Sequence, residues 1–230
     1  LAAEMRGYIA EGFTGVKMKI GGVSLEEDAE RVVAVREAIG PDARLMVDAL
    51  HAYDLPQAMQ MADKIHSFDI YWFESPVALE DVAGHGEVNR HSGIPVCGNE
   101  SLTGLPAFRH LLEHQGATFV HFDLSVCGGI SEGMKIAKLA AEAGLTCTLH
   151  AASGVQLFSA SVNLACSVPN CDSVEYHQVH QWLSDYHPKV MEHEGPQVKP
   201  VDGSGLGNTF LTPQFIEEIF RQETVRTSKN

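Results

Sequence analysis

The stretch TFVHFDLSVCGGISEGMKIAKLAAEAGLTCTLHA (118–151) contains the repeating unit from which we predict the fold. Two short apolar runs, 118–123 and 146–151, flank a segment, 130–143, whose apolar residues recur at helical spacing. Apolar runs of this length predict strands that are buried on both faces, and the segment between them predicts an amphipathic helix that ends at Gly144. Strand, helix and strand in succession predict a βαβ unit with parallel strands.

The same unit recurs along the chain about every 26 residues. The predicted strands are GVKMKI (15–20), RLMVDA (44–49), IYWFES (70–75), PVCGNE (95–100), TFVHFD (118–123), TCTLHA (146–151) and DSVEYH (172–177), and helices are predicted at 25–39, 55–66, 105–114, 130–143 and 155–167. Ser24 and Glu27 predict a capping box at the first of these helices. Seven consecutive units, with no Gly-x-Gly-x-x-Gly turn after a strand, favour a closed barrel over an open doubly wound sheet. We therefore predict an α/β fold, a TIM-type (β/α)7β barrel.

Composition narrows the class of partner. The chain has 230 residues, 44% of them hydrophobic, and a formal net charge of −14. Nucleic acids and anionic membranes attract basic surfaces, so an acidic chain favours small-molecule partners over both. The five cysteines are odd in number and form no Cys-x-x-Cys pair, which predicts reduced thiols. No segment has the pattern of a signal peptide or a membrane span, and we expect a cytoplasmic protein.

Each predicted strand carries a charged residue or a histidine at or near its carboxyl end. In chain order these are Lys17 and Lys19, Asp48, Glu74, Glu100, Asp123, His150 and Glu175. In a barrel of parallel strands such positions meet at one mouth, where the chemistry of these barrels takes place. We therefore predict that these residues form the functional site.

Three carboxylates at this mouth predict a metal site. Asp48, Glu74 and Glu100 would repel one another unless a cation lay among them. Asp48 alone is equally well interpreted as a helix N-cap. Glu is not a favoured N-cap, and Ser75 and Ser101 stand beside Glu74 and Glu100 to serve as caps. Carboxylate oxygens select a hard divalent ion, with Mg²⁺ the first expectation and Mn²⁺ the second.

Two candidate proton-transfer groups flank this predicted site. Lys17 and Lys19 are two residues apart on one strand, so both are expected to point into the barrel. An ammonium beside a dication and a second ammonium is disfavoured, which makes the neutral amine available as a base. His150 lies one strand after Asp123, and a carboxylate at the strand spacing of ~4.8 Å orients an imidazole. A single histidine at a strand end is more often structural, and only the metal and lysine opposite favour an Asp–His dyad.

These residues, in this order, resemble the enolase superfamily and within it the mandelate racemase subgroup. The matching pieces are the K-x-K strand at 17–19, FESP with Glu74, GNES with Glu100, and FDLSVCGGISEGMKIA with Asp123. The resemblance spans roughly residues 5–210. It implies that a proton α to a carboxylate is removed through an enediolate intermediate with the help of Mg²⁺.

The resemblance also implies a role for each residue. Lys19 and His150 form the acid/base pair on opposite faces of the substrate, and Asp123 orients His150. Lys17 neutralises the substrate carboxylate beside the metal. Glu175 donates a hydrogen bond to the developing enediolate oxygen. An aspartate at position 123 favours this subgroup over the muconate cycloisomerase type, which has a lysine on that strand.

Two positions bear on substrate contact. The family commonly has an asparagine two residues after the first metal ligand, where this chain has Leu50, so the adjacent His51 is a candidate contact in its place. His121 faces inward by strand alternation with Asp123. Contact with substrate and simple filling of the barrel are equally good interpretations of His121.

The resemblance divides the chain and points to an activity. We expect residues 1–177 to form the barrel, without its first strand and the N-terminal α+β capping domain, and residues 178–230 to form a tail or hairpin that packs against that domain.

The leading hypothesis is dehydration of a sugar acid to a 2-keto-3-deoxy acid. A racemase or epimerase of a 2-hydroxy acid would use the same residues, and an inactive barrel fragment with a structural or binding role is the non-enzymatic alternative. The expected partner is a small-molecule carboxylate, and a homo-oligomer is expected by analogy alone.

Overall fold

A computed structural model describes residues 1–152, 154–178 and 190–207 and the single positions 213, 217 and 221. The strands of the main sheet are β1 Gly15–Lys19, β2 Arg44–Asp48, β3 Ile70–Glu74, β4 Val96–Gly98, β5 Phe119–Asp123, β6 Thr146–His150 and β7 Cys171–Val174. The helices are α1 Ala2–Ala10, α2 Leu25–Ile39, α3 Leu55–Ile65, α4 Val82–His91, α5 Leu105–Glu113, the single turn α6 Leu124–Cys127, α7 Ile130–Glu142 and α8 Val155–Ser167, with a 3₁₀ turn at His66–Phe68.

The five helices predicted from the sequence begin and end within one residue of their predicted positions. Capping residues and a glycine mark several of these ends. α2 begins with the predicted capping box, in which Ser24 accepts from the Glu27 amide and Glu27 accepts from the Ser24 amide. Asp54 and Gln57 cap α3 in the same way. Gly144 follows α7 with φ at 71°, a left-handed conformation that glycine adopts without strain.

The fourth strand is shorter than its predicted run, 95–100. It ends at Gly98, and Glu100 therefore lies in the turn that follows rather than on the strand. The Asn99 side chain accepts a hydrogen bond from the Ser101 amide at 3.0 Å, and such a local turn competes with continued strand pairing.

The seven strands form one parallel sheet in chain order, with β1 and β7 at its edges. The sheet curls until strands that are not neighbours touch. At the amino-terminal end, Arg44 of β2 lies 3.2 Å from the carboxylate of Asp172 on β7, to which the Tyr71 hydroxyl donates at 3.1 Å. At the carboxyl end, Lys17 Nζ lies 2.9 Å from Glu175 Oε1. The predicted parallel α/β barrel is confirmed.

The two edges of the sheet are separated by a seam. No strand in the described ranges lies between β1 and β7, and a cavity of about 660 Å³ occupies this place. Met5 and Tyr8 of α1 line one side, Val162 and Cys166 of α8 line the other, and Met18 lies in its wall. That the barrel lacks its first strand stays a prediction.

Helices cover the outside of the sheet and bury its apolar side chains in two clusters. One cluster packs β1–β3 against α2 and α3 and includes Val32, Leu45, Val47, Met61 and Ile65. The other packs β5 and β6 against α7 and α8 and includes Phe122, Ile136, Leu149 and Phe158. Because the outward faces are filled in this way, the polar side chains of the same strands are left to face the barrel interior.

Beyond the barrel, β8 His193–Glu194 and β9 Gln197–Val198 form an antiparallel hairpin. Much of the tail at 178–230 lies outside the described residues, so the boundary at 177 and the packing of the tail against a capping domain stay predictions. All five cysteines are free thiols, as predicted. In the part of the chain that the structure describes, no helix is long and apolar enough to cross a membrane.

Candidate active site

The predicted polar residues lie together at the carboxyl end of the sheet. They end a strand in the case of Lys19, Asp48, Glu74, Asp123 and His150, and follow one in the case of Glu100 and Glu175. In the sheet register, Asp48 is the partner of both Lys19 and Glu74, and Asp123 is the partner of His150. Because they lie at the ends of successive strands, these residues form a ring of charged and polar side chains around one mouth of the barrel.

Lys17 is the buried centre of this ring. Its Nζ lies 2.6 Å from Glu74, 2.9 Å from Glu175 and 3.3 Å from Asp48, and its side chain is only 12% exposed. Burial alone would lower the pKa of Lys17, but Glu175, Glu74 and Asp48 together raise it well above its usual range. Lys17 is therefore an ammonium in this arrangement, which suits binding of a substrate carboxylate rather than proton abstraction.

Lys19 occupies a different environment although it lies on the same face of β1. Its Nζ contacts the carboxylate of Asp48, and its side chain is 55% exposed at the mouth. Its backbone carbonyl accepts a hydrogen bond from Arg31 at 3.1 Å, and Arg31 is paired with the buried Asp28. Asp28 in turn accepts from the Gly21 amide at 2.6 Å, so the backbone that follows the Lys19 side chain is held at two points.

The acids form a buried cluster of excess negative charge. Asp48 and Glu74 are 0% exposed, and Glu100 is 6% exposed. Burial raises the pKa of Glu74 well above its usual range, and the carboxylates of Asp48, Glu175 and Glu100 raise it further against the opposing effect of Lys17. Burial would also raise the pKa of Asp48, but Lys17 and Lys19 lower it to about 2. The single buried ammonium of this cluster, that of Lys17, does not balance the negative charge of its four acids, which are Asp48, Glu74, Glu100 and Glu175. This imbalance fits a divalent cation.

The donor atoms of this cluster identify where an ion could bind. Among the described residues, Glu74, Glu100 and His121 are the group of three whose ligand atoms all lie within 4.8 Å of one another. Asp48 lies next to them, its carboxylate being shared between Lys17 and Lys19. Three carboxylates with a histidine suit a hard or borderline divalent ion.

Across the mouth, Asp123 and His150 form a tightly bonded pair. His150 Nδ1 lies 2.6 Å from Asp123 Oδ2, while the other oxygen of Asp123 accepts from the amide and the hydroxyl of Ser125 at 2.6 and 2.5 Å. Asp123 is 2% exposed. Burial opposes ionisation, but His150 and Ser125 together lower the pKa of Asp123, so it is a carboxylate that accepts the Nδ1 proton. His150 Nε2 is left to face Glu175, 3.5 Å away.

The two histidines predicted as substrate contacts lie at different depths. His51 sits in a left-handed turn after β2, and its Nδ1 hydrogen-bonds to the Val77 carbonyl at 3.0 Å. Its role in substrate contact stays a prediction. His121 is 1% exposed, lies 3.5 Å from Glu74 Oε1, and burial lowers its pKa to about 4.

Sequence reasoning missed several side chains that support the acids. The Trp72 indole donates to Glu74 Oε2 at 3.1 Å, and the Ser75 hydroxyl donates to Glu100 at 2.8 Å. Trp72 lies two residues before Glu74 on one strand, so alternation could have placed both on the same face. Ser75 was expected as a helix cap, but the N-cap of α4 is Asp81.

A parallel α/β barrel whose carboxyl end holds buried acids, lysines and an Asp–His pair is the arrangement of a barrel enzyme. The sequence matches the family described as "Enolase C-terminal domain-like" over residues 1–214. The chain belongs to this family and is a mandelate racemase-like member of the enolase superfamily.

Relatives within the family carry several enzyme names. The chain is 40% identical over 170 residues to the D-galactarolactone cycloisomerase of Agrobacterium fabrum, which covers 74% of this chain and 45% of that protein. It is 32% identical over 198 residues to the L-talarate/galactarate dehydratase of Salmonella typhimurium, covering 86% and 48%. The L-talarate dehydratase of Polaromonas sp. JS666, solved with Mg and L-glucarate, superposes with a TM-score of 0.70 at 31% identity, covering 76% and 48%. The chain therefore spans about half the length of the relatives it matches.

Proposed function

We propose that this chain carries the site of a Mg²⁺-dependent enzyme that removes the proton α to the carboxylate of a sugar acid and then expels the β-hydroxyl. The observation that supports this most strongly is the position of two proton-transfer groups on opposite sides of the acid cluster. Lys19 ends β1 and His150 ends β6, while Glu74 and Glu100 come from the strands between them. A substrate bound over the acids would have one such group on each face of its α-carbon.

Binding of the substrate carboxylate falls to Lys17. Its ammonium is kept charged by the surrounding acids and already holds two carboxylate oxygens within 3 Å. Mg²⁺ held by Asp48, Glu74 and Glu100 would supply Lewis-acid stabilisation of the enediolate, a contribution of several kcal/mol. Trp72 and Ser75 each donate a hydrogen bond to one of these carboxylates and so orient the acids toward the ion.

Proton transfer then divides between two residues. Lys19 Nζ takes the α-proton, and the electron pair of the C–H bond forms the enediolate. His150 acts as the imidazolium: its Nδ1 proton is held by Asp123, and it gives its Nε2 proton to the β-oxygen as the bond from C3 to that oxygen breaks and water leaves. The remaining enol takes up a proton at C3 and loses the proton of its C2 hydroxyl, which yields the 2-keto-3-deoxy acid.

Glu175 needs a change of partner to take the role that the resemblance implies. Burial would raise its pKa, but Lys17, His150 and His121 lower it below its usual range, so Glu175 accepts hydrogen bonds in this arrangement. A carboxyl that donates to an enediolate oxygen must be protonated. We propose that Glu175 takes up a proton when Lys17 turns from Glu175 to the substrate carboxylate.

A sugar acid is the substrate class that the named relatives favour, since two of them are dehydratases of such acids. A second candidate is isomerisation of a sugar-acid lactone, which is favoured by the 40% identity to a protein named D-galactarolactone cycloisomerase. In that case the proton from His150 would go to a ring oxygen instead of a hydroxyl. Racemisation or epimerisation would need only Lys19 and His150, and it stays the third alternative.

A screen of aldonic acids, aldaric acids and aldarolactones with Mg²⁺ tests the proposal. We expect the intact protein to form a 2-keto-3-deoxy acid, detected as its semicarbazone, from at least one open-chain acid, and the Lys19→Met and His150→Gln variants to form none. Conversion of a lactone alone would support the second candidate. If no acid or lactone reacts, the proposal is wrong and an inactive barrel is the better description.

A further inference from the structure

His121 is the one member of the acid cluster for which the proposed steps have no use. It lies on β5 with 1% exposure, and neither Nδ1 nor Nε2 has a hydrogen-bond partner among the described residues. Buried imidazole nitrogens are almost always bonded, so a ring with two free nitrogens points to a group that binds there. Its neighbour His150 differs, because Nδ1 of that ring is engaged by Asp123.

The surroundings of His121 indicate what that group is. A nitrogen of His121 and one oxygen each from Glu74 and Glu100 lie within 4.8 Å of one another. Nε2 is 3.5 Å from Glu74 Oε1, which is too long for a hydrogen bond. Two atoms bound on opposite sides of one ion, each at about 2.1 Å, are about 4.2 Å apart. A small side-chain shift would therefore bring the His121 nitrogen and the two glutamate oxygens to one ion.

We infer that His121 is a nitrogen ligand of the divalent ion, in addition to the carboxylates of Glu74 and Glu100. The inference rests on the proposed function, in which those carboxylates hold the ion. Its consequence is a mixed nitrogen and oxygen site. Imidazole favours borderline ions such as Co²⁺ over Mg²⁺, so the site should discriminate less against these ions than a site made of carboxylates alone.

Pulsed EPR of the Mn²⁺-loaded intact protein tests the ligand directly. We expect electron spin-echo modulation from an imidazole ¹⁴N, which changes to the ¹⁵N pattern in protein labelled with ¹⁵N-histidine. The His121→Gln variant should bind Mn²⁺ and lose this modulation, whereas His150→Gln should keep it. Because the first spectrum uses the unchanged protein, a variant that fails to fold does not remove the test.

Failure of the His121 inference and failure of the proposed metal site give different results. Stoichiometric Mn²⁺ binding without nitrogen modulation would overturn the role of His121 and leave the carboxylate site intact. Modulation that disappears in His150→Gln instead would also overturn it. If no divalent ion binds at all, the metal site of the proposed function is itself wrong.

Calorimetric titration gives a second readout that does not depend on activity. We expect His121→Gln to raise the Kd for Co²⁺ at least tenfold and to change the Kd for Mg²⁺ by less than threefold, because glutamine replaces the nitrogen donor with an amide. Glu26→Gln, an exposed carboxylate on α2, serves as a matched surface control and should change neither Kd. Equal losses for both ions would count against ligation through the imidazole.

Discussion

Replacing Asp123 with asparagine should remove the ability of His150 to transfer a proton while leaving the barrel folded. The carboxylate of Asp123 receives two hydrogen bonds from Ser125 on one oxygen and the Nδ1 proton of His150 on the other. In Asp123→Asn the amide oxygen satisfies the Ser125 donors, so the amide NH₂ faces His150. Nδ1 must then accept, and the imidazole is held in the wrong tautomer with its charged form no longer stabilised.

The size of the effect follows from the bond that is lost. A hydrogen bond to a charged group contributes about 1.5–3 kcal/mol, and the 2.6 Å bond of this buried pair is of that kind. At about 1.4 kcal/mol for each factor of ten, kcat for elimination should fall about 10- to 150-fold. The KM should change little, because Asp123 is 2% exposed and both of its carboxylate oxygens are already bonded to Ser125 and His150.

Steady-state kinetics on an acid found by the substrate screen would measure this loss. The control is Asp172→Asn, a carboxylate at the opposite end of the barrel that pairs with Arg44 and should leave kcat within twofold of the unchanged protein. Circular dichroism and urea unfolding would show that both variants fold. A kcat for Asp123→Asn within threefold of the original would refute the dyad.

Three further predictions concern the acid cluster. Glu74→Gln should raise the Kd for Mg²⁺ at least tenfold by calorimetry, because it removes a charged ligand; an unchanged Kd would exclude Glu74 from the ligand set. Lys17→Met should lower the free energy of unfolding in EDTA by about 3 kcal/mol, since it leaves buried carboxylates unpaired. In saturating Mg²⁺ the loss should be smaller, because the ion neutralises the same carboxylates. Equal losses in EDTA and in Mg²⁺ would contradict this. The metal-free protein should lose about 2 kcal/mol of stability between pH 7 and pH 5. The pKa of His121 is lowered from its ordinary 6.5 to about 4, so the unfolded chain takes up a proton there first as the pH falls. His121→Gln should show a smaller pH dependence in urea unfolding, and an unchanged slope would assign the loss to other groups.

Periodicity in the sequence was enough to predict the barrel and its mouth. A strand shifted by one residue would have turned Asp48 or Asp123 outward, so the apolar alternation that buries Val47 and Phe122 also determines the inward side of each acid. The strand order follows from the βαβ repeat, because consecutive units pair in sequence. This is why the neighbours Asp123 and His150 could be predicted as a bonded pair.

Depth within the barrel was not predictable in the same way. Alternation predicts that Lys17 and Lys19 share a face, yet the side chain of one is 12% exposed and that of the other 55%. The difference arises because Lys17 lies one layer below the mouth, where the curled sheet brings Glu175 to it. The same layer holds His121, which alternation places inward but could not place beside Glu74 and Glu100.

Contacts between loops were also beyond sequence reasoning. Asp28, Arg31 and Tyr53 join the loops after β1 and β2, with Asp28 accepting from the Tyr53 hydroxyl at 3.3 Å. Asp28 and Arg31 lie on α2, whereas Tyr53 follows β2 in the next unit of the repeat, so its contact with Asp28 has no periodic relation. Only the folded arrangement shows that they support the position of Lys19.

In the proposed reaction Lys19 removes the proton at the α-carbon of the substrate, and His150 delivers a proton to the β-oxygen. The intact protein is incubated with Mg²⁺ and its acid substrate in D₂O. NMR of the recovered acid then shows whether the α-proton has been removed and replaced by deuterium. We expect deuterium to enter the α-position with the intact protein, at a rate at least tenfold lower in Lys19→Met, and no exchange in EDTA. Exchange that continues unchanged in the Lys19→Met variant, or a product formed without any loss of the α-proton, would contradict the role of Lys19.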